Sequence, residues 1–220
     1  MSDPTGIPAG PFSRWLRQMR AALAGDSGMD VACGDCRGCC TSSYFIKVRA
    51  HERAAIESIA AEYLRPSPRA TDGAQLMGFH ENGHCFMFSG GNCTIYANRP
   101  ETCRTYDCRV FTAASMTAGE GKTEINERVA RWRFDYPTAQ DREEHRAVTA
   151  AANFLRQHVV RFPGGYVPSR ASDIAVLAVK SYQVFLDPPP SDAEISSAII
   201  EATRGFDRQT HRQEKAECLD

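Results

Sequence analysis

Cysteine is the residue type in this chain whose number and spacing point to chemistry. The sequence holds nine cysteines, and eight of them lie between residues 33 and 108. These eight are Cys33, Cys36, Cys39, Cys40, Cys85, Cys93, Cys103 and Cys108. The ninth, Cys218, lies in a polar stretch and is expected to take no part. The clustering predicts a site built from sulfur, because thiolates are strong ligands for zinc, iron and iron–sulfur clusters.

The first four cysteines form a tight pattern in which Cys33, Cys36 and Cys39 are each separated by two residues. This spacing lets two sulfurs approach one ion at about 2.3 Å, and glycines such as Gly38 favour the turn that it needs. Cys40 follows Cys39 directly, so the two side chains diverge if the backbone is extended. The pair is expected either to serve two centres or to leave one thiol as a spectator.

The other four cysteines are spread more widely. Cys103 lies near the start of a predicted helix, where exposed N–H groups favour a thiolate. Cys103 and Cys108 can face one ion only if that helix ends between them. Together the eight sulfurs can form two tetrathiolate sites, one iron–sulfur cluster with a zinc site, or one centre with additional reactive thiols.

Arginines stand beside several of these cysteines. Arg37, Arg99 and Arg104 are the candidate cofactor-binding residues, because they can donate hydrogen bonds to sulfur and offset the negative charge of clustered thiolates. Ion pairs with Glu101 or Asp107 are the alternative role for the last two.

The two halves of the pattern resemble a known family. The first half reads C-x2-CC from Cys36, and the second reads C-T-I-Y-x2-R-P-x2-C-R-x3-C from Cys93 to Cys108. Over residues 33–111 the chain is similar to the YkgJ-type cysteine-cluster family, which is described as a zinc- or iron-chelating domain. The resemblance implies metal binding and assigns no enzymatic activity.

Short elements are predicted around the cysteines. Residues 44–48 favour a strand and residues 50–64 an amphipathic helix. Residues 84–88 and 93–96 favour two strands of a hairpin, joined by a loop rich in residues that accept positive φ. Pro100 is typical of the first turn of a short helix.

The rest of the sequence has a helical pattern. Apolar residues at helical spacing predict helices over 13–23 and 172–186. Capping-box patterns at residues 138–141 and 191–194 predict two further helix starts, and the second of these helices is expected to end near Gly205.

The sequence thus predicts an α+β protein, in which a small, cysteine-rich, metal-stapled module with short strands is joined to a mainly helical C-terminal section. The expected division is a loose N-terminal arm and helix over 1–24, the cysteine module over 25–112, a helical section over 113–205 and a flexible tail over 206–220.

Composition narrows the classes of partner. The net charge of −1 and a pI near 6.6 provide no basic field, so no nucleic acid is expected as a partner. No long apolar run is present, so no membrane span is expected. The opening residues lack the pattern of a secretory leader, which favours a cytoplasmic location, where clustered thiols typically bind metal.

Three functions are compatible with the pattern. The first is a cytoplasmic protein that binds zinc or iron, including an iron–sulfur cluster, and acts as a structural or interaction module with a protein partner. The second is an iron-dependent or iron–sulfur enzyme that modifies a protein or small molecule, although phosphate-binding loops, zinc-protease motifs and nucleophile elbows are missing from the sequence. The third is a thiol-redox sensor, which needs an exposed cysteine of low pKa.

Overall fold

A computed structural model describes residues 6–29, 31, 34–68, 70 and 72–217, with side chains described through residue 209. The helices are α1 (Phe12–Ala24), α2 (Arg53–Ser58), α3 (Glu101–Thr105), α4 (Arg109–Ala113), α5 (Thr123–Arg131), α6 (Ala139–Gln157), α7 (Ala171–Ser181) and α8 (Asp192–Glu217). The strands are β1 (Ile7–Pro11), β2 (Ile46–Val48), β3 (Leu64–Pro66), β4 (Gln75–Met77), β5 (Phe88–Ser89), β6 (Asn92–Cys93) and β7 (Trp132–Asp135). Short 3₁₀ turns occupy Gly38–Cys40, Ala61–Tyr63, Tyr96–Asn98, Val159–Arg161 and Tyr182–Phe185.

The chain packs as two compact units. The helical unit contains the described residues of Met1–Ser27, Asp107–Gly119 and Asn126–Asp220, and the cysteine unit contains those of Gly28–Tyr106 and Glu120–Ile125. Parallel and antiparallel strand pairs, together with a helical C-terminal region, confirm the predicted α+β class.

The helical unit begins with a parallel pair of strands. β1 pairs with β7, and Ile7 lies opposite Trp132. Phe12 and Trp15 on α1 pack against Phe134 of β7, with ring centroids 4.9 and 5.1 Å apart. The prediction of a loose opening segment is therefore wrong for β1. Its partner strand lies more than a hundred residues away, so pairing leaves no local signature in the sequence.

Four helices of this unit pack against one another. α6 contacts α1 and α7, and α7 contacts α8. The predicted capping box of α6 is confirmed, since the Thr138 hydroxyl accepts from Asp141 N–H and the Asp141 carboxylate accepts from Thr138 N–H. Before α8, the backbone N–H of Glu194 donates to the Ser191 hydroxyl at 3.3 Å, and that hydroxyl donates to the Glu194 carboxylate at 2.6 Å. None of the described helices is long and apolar enough to cross a bilayer.

The last helix is longer than the sequence predicts. α8 continues through Gly205 to residue 217, so the predicted end near Gly205 is wrong. Phe206 is only 8% exposed, and the Arg20 guanidinium lies 4.8 Å from the centroid of its ring. Lys180 forms an ion pair of 2.7 Å with Asp207. These contacts to α1 and α7 stabilise the helix beyond the glycine.

The cysteine unit is built on a small antiparallel sheet. β4 lies between β2 and β3, so that Met77 is opposite both Ile46 and Leu64. The helix predicted over 50–64 is wrong in its second half. α2 ends at Ser58, and Leu64 is extended because it pairs with a strand that follows it in the chain.

A two-stranded hairpin completes the unit. Phe88 of β5 lies opposite Cys93 of β6, as the predicted hairpin requires, although both strands are shorter than expected. Gly90 and Gly91 have φ of +58° and +79°, which is the conformation that the tight turn needs. α3 follows Pro100 directly, as predicted.

Candidate metal centre

The first cysteine loop is a 3₁₀ turn that presents two adjacent thiols. Cys40 N–H donates to Arg37 O at 2.8 Å, which closes the turn. Cys39 is exposed, and Cys36 and Cys40 are half-buried. The turn brings the thiols of Cys39 and Cys40 within hydrogen-bond distance of each other. Cys33, which the sequence predicts as a ligand, lies outside the described residues.

The second group of cysteines is held by the core of the cysteine unit. Cys85 forms an isolated bridge with Phe79, Cys93 lies on β6, and Cys103 lies within α3. All three are half-buried and pack against a cluster of buried apolar residues. That cluster contains Ile46, Val48, Ala55, Ile59, Met77 and Met87. The apolar core therefore positions three sulfurs from separate parts of the sequence.

The two groups of cysteines meet in space. The backbone N–H of Cys85 donates to Cys40 O at 2.8 Å, which ties the loop to the second group. The thiol of Cys103 interacts electrostatically with those of Cys85, Cys39 and Cys93. Five of the predicted ligands therefore share one neighbourhood in the structure.

The surroundings hold these thiols in the protonated form. Burial, reinforced by the neighbouring cysteines, raises the pKa of Cys103 to about 12. Burial also raises the pKa of Cys85, and a hydrogen bond with Cys40, followed by desolvation, raises the pKa of Cys39. The thiolate predicted for Cys103 is therefore wrong for the chain without metal. α3 has only five residues, and desolvation outweighs the effect of its N-terminus.

The described thiols lie near one another but do not enclose a metal site. Within the part of the chain that the structure describes, no three His, Cys, Asp or Glu side chains are placed to share one metal ion. The described cysteines are all free thiols, so they are not committed to disulfides. Sulfur donors suit zinc, iron and iron–sulfur clusters. Cysteine sulfurs therefore suit a bound metal ion or cluster. The described cysteine side chains would have to move before three of them could bind the same ion.

Cys108 lies in the helical unit, where it is buried. Its sulfur accepts a hydrogen bond of 3.2 Å from the indole N–H of Trp132. The flanking residues Asp107 and Arg109 form a buried ion pair with a shortest N···O distance of 2.8 Å. The indole donor is of the kind that stabilises a thiolate.

Arg37 links the first cysteine loop to the hairpin. Its guanidinium donates to Gly34 O at 2.9 Å and Cys36 O at 3.0 Å within the loop. It also donates to Gly91 O at 3.0 Å and to Asn92 Oδ1 at 3.2 Å in the turn that precedes Cys93. In the structure Arg37 therefore organises backbone around the cysteines.

The other two arginines have different roles. Arg99 lies over the ring of Tyr96, with 3.6 Å between its Cζ and the ring centroid, and its positive charge lowers the pKa of Cys39 and Cys103. This effect favours the thiolates, and it opposes the larger effects of the Cys40 hydrogen bond on Cys39 and of burial on Cys103. Arg104 donates to Arg99 O, and its guanidinium approaches the Glu52 carboxylate at 3.9 Å.

Glu52 is a site-positioning residue that the sequence analysis missed. It is only 8% exposed, and its carboxylate accepts from the backbone N–H groups of Arg49 and Glu101. Arg49 also contacts both oxygens of Glu101 at 2.7 Å. These contacts fix the start of α3, which carries Cys103. The sequence shows Glu52 only as one acid in a helical pattern, because its partner at the start of α3, Glu101, comes from a distant segment.

Comparison with known protein families gives a match to the cysteine-rich part of the chain. Residues 32–129, less than half of the chain, match the CxxCxxCC family model, described as "Putative zinc- or iron-chelating domain". No curated protein and no solved structure matches the chain. The matched residues contain all eight clustered cysteines. Seven of them lie in the described structure, and the eighth is Cys33. Over residues 32–129 the chain is therefore similar to the CxxCxxCC cysteine-cluster family, as its cysteine pattern predicts.

Proposed function

We propose that the cysteine unit binds zinc or iron through thiolates, and that the bound metal has a structural role. The observation that carries this proposal is the grouping of Cys39, Cys85, Cys93 and Cys103 from distant parts of the sequence. Bound metal would hold the loop around Gly38–Cys40 against the second cysteine group. That loop has few apolar residues of its own, so ligand bonds are its main source of additional stability.

The proposed ligands are the clustered cysteines of the cysteine unit, namely Cys33, Cys36, Cys39, Cys40, Cys85, Cys93 and Cys103. Cys108, which the sequence also predicts as a ligand, belongs to the helical unit. Arg37, Arg99 and Arg104 are proposed to support bound metal by ordering the loop, favouring thiolates and holding α3, respectively. The YkgJ type, a cytoplasmic location and an iron–sulfur cluster as the occupant belong to the same proposal.

A structural role is favoured over thiol-redox sensing. A redox sensor needs a thiolate that solvent reaches at neutral pH. Burial raises the pKa of Cys103 and Cys85 instead, and the only exposed cysteine of the described group, Cys39, shares a hydrogen bond with Cys40 that raises its pKa. Bound zinc in a closed site would contribute folding energy, and bound iron or a cluster would add redox chemistry.

The proposal is tested by purifying the protein without oxygen and measuring its metal content and visible spectrum. Stoichiometric zinc in a colourless protein indicates a zinc site, and a brown protein that bleaches in air indicates an iron–sulfur cluster. The variants C85S and C103S should lose metal, since both remove sulfurs of the shared neighbourhood. C218S is the matched control and should retain it. Wild-type protein without metal, or C85S and C103S proteins that bind it like wild type, would contradict the proposal.

A further inference from the structure

A segment far from the cysteines in sequence belongs to the cysteine unit. Glu120–Ile125 is assigned to this unit, although the residues on both sides of it belong to the helical unit. It includes the start of α5. The sequence predicts it to lie in the helical section over 113–205. Its contacts are made with the turn that carries Cys39 and Cys40.

The first contact is between Ile125 and Gly38. A Cβ atom at position 38 would lie 2.9 Å from Ile125 Cγ1, 3.1 Å from Ile125 N and 3.3 Å from Glu124 C. Ile125 is only 2% exposed, so its side chain has little freedom to move away. Gly38 is not among the residues of positive φ, so close packing is the reason for a glycine here.

Polar contacts extend the packing to the next residues of the loop. Thr41 Oγ1 donates to Glu124 Oε2 at 3.0 Å. The Lys122 ammonium donates to Ser42 O and lies 4.3 Å from the centroid of the Tyr44 ring. The segment thus contacts the loop by packing, by a side-chain hydrogen bond and by a charged donor to the backbone.

The turn that receives these contacts determines where two sulfurs lie. Gly38 directly precedes Cys39 and Cys40, and Cys40 O accepts from Cys85 N–H. Metal–sulfur distances are fixed near about 2.3 Å, so a displacement of a few tenths of an ångström changes ligand geometry. Residues that only orient ligands typically alter metal affinity by about 10–100-fold when they are mutated.

We propose that Glu120–Ile125 is a positioning clamp that holds the Gly38–Thr41 turn and thereby sets the metal affinity of the cysteine cluster. This inference rests on the proposed metal-binding function and adds the segment that prepares the site. Glu124 and Ile125 act through the turn, and neither is a proposed ligand.

The test measures metal affinity and ligand geometry in full-length variants. Co²⁺ is titrated into the protein and its absorption spectrum, which reports the number and arrangement of sulfur ligands, is recorded; Zn²⁺ affinity is measured by competition with a chelator. G38A should weaken binding about tenfold or more, by pushing the turn away from Ile125. G164A is the matched control, because a Cβ at position 164 would contact nothing within 4 Å.

A second pair of variants separates positioning from folding. E124A removes the acceptor for Thr41 Oγ1 and should weaken binding and change the Co²⁺ spectrum, whereas E124Q keeps an acceptor and should restore both. Glu124 is exposed, so neither change is expected to prevent folding even if G38A does. If wild type binds metal and E124A binds it with the same affinity and spectrum, the clamp is wrong. Failure of wild type to bind metal contradicts the proposed function instead.

Discussion

At the scale of single residues, the surroundings of the proposed sulfur ligands favour neutral thiols over thiolates. Burial raises the pKa of Cys85 and Cys103, and the positive charge of Arg99 only partly offsets this for Cys103. Metal binding therefore has to displace thiol protons, so the apparent affinity is expected to fall as the pH falls. Electrostatics of this kind explain why cysteine identity and spacing predict the donors but not their protonation.

Arg37 provides the first prediction. R37A removes the donors that join the cysteine loop to Gly91 and Asn92, and it is expected to lower zinc affinity by about tenfold. Affinity is measured by chelator competition at fixed pH. R65A is the control, because Arg65 is an exposed arginine on β3 in the same unit. Equal affinity in R37A and wild type would mean that the loop is ordered without these hydrogen bonds.

Asp141 gives a pH prediction in the helical unit. Hydrogen bonds from the Thr138 side chain and then from Ser13 N–H lower the pKa of its carboxyl from 3.8 to about 2. Because the pKa is lower in the folded than in the unfolded state, the ionised carboxylate stabilises the fold at pH values above about 4. This contribution is lost as the pH falls from about 4 toward 2. D141N should be less stable than wild type at pH 6, and the difference should shrink over that range. Urea unfolding across a pH series measures it; a difference independent of pH would exclude this role.

At the scale of elements, α3 is positioned by contacts more than by its own sequence. It has five residues, too few to be stable alone, and Glu52 and Arg49 bind its first residue, Glu101. Thr102 Oγ1 also donates to Lys47 O at 2.7 Å, which joins the helix to β2. The orientation of Cys103 therefore depends on a buried carboxylate in another part of the chain.

Substitution of Glu52 tests this dependence. E52A leaves the N–H groups of Arg49 and Glu101 without their acceptor and should lower the free energy of unfolding by about 2–3 kcal/mol. E52Q keeps one acceptor oxygen and should lose less. Chemical denaturation measures both, and E57A is the control because Glu57 is an exposed acid of α2. A loss in E52A no larger than that in E57A would argue against the anchoring role.

Local signals predicted several elements well. The capping box at Thr138, the hairpin before Cys93 and the helix after Pro100 are confirmed, because each depends on residues within a few positions of one another. The strand character of Leu64 and the β1–β7 pair were missed, since both depend on partners remote in sequence. Contacts of long sequence separation are the part of the fold that a local pattern does not encode.

At the scale of the whole molecule, each unit has its own apolar core. The helical unit buries Trp15, Trp132 and Phe111, and the cysteine unit buries Val48 and Met77. The type and spacing of the cysteines predict the donors of the candidate site, because their thiolates would themselves be the ligands. The positioning residues Glu52 and Glu124 carry no such pattern, since they act only through contacts made in the folded unit.

Removal of metal tests the whole arrangement. Complete chelation should lower the melting temperature and increase hydrogen exchange around Gly38–Cys40 and α3, because metal–sulfur bonds would no longer join them. Exchange in α6 should change little, since that helix belongs to the helical unit. Exchange measured by mass spectrometry locates the change. Identical melting and exchange after complete chelation would contradict a structural role for metal.

The discontinuous make-up of the cysteine unit has a consequence for biosynthesis. All seven described cysteines are translated before Glu120–Ile125, the segment that packs against their first turn. Nascent thiols leave the ribosome before the last piece of their own unit exists. Loading with metal is therefore expected to finish only after residue 125 has emerged, so the order of synthesis delays completion of the centre until the chain has begun its second half.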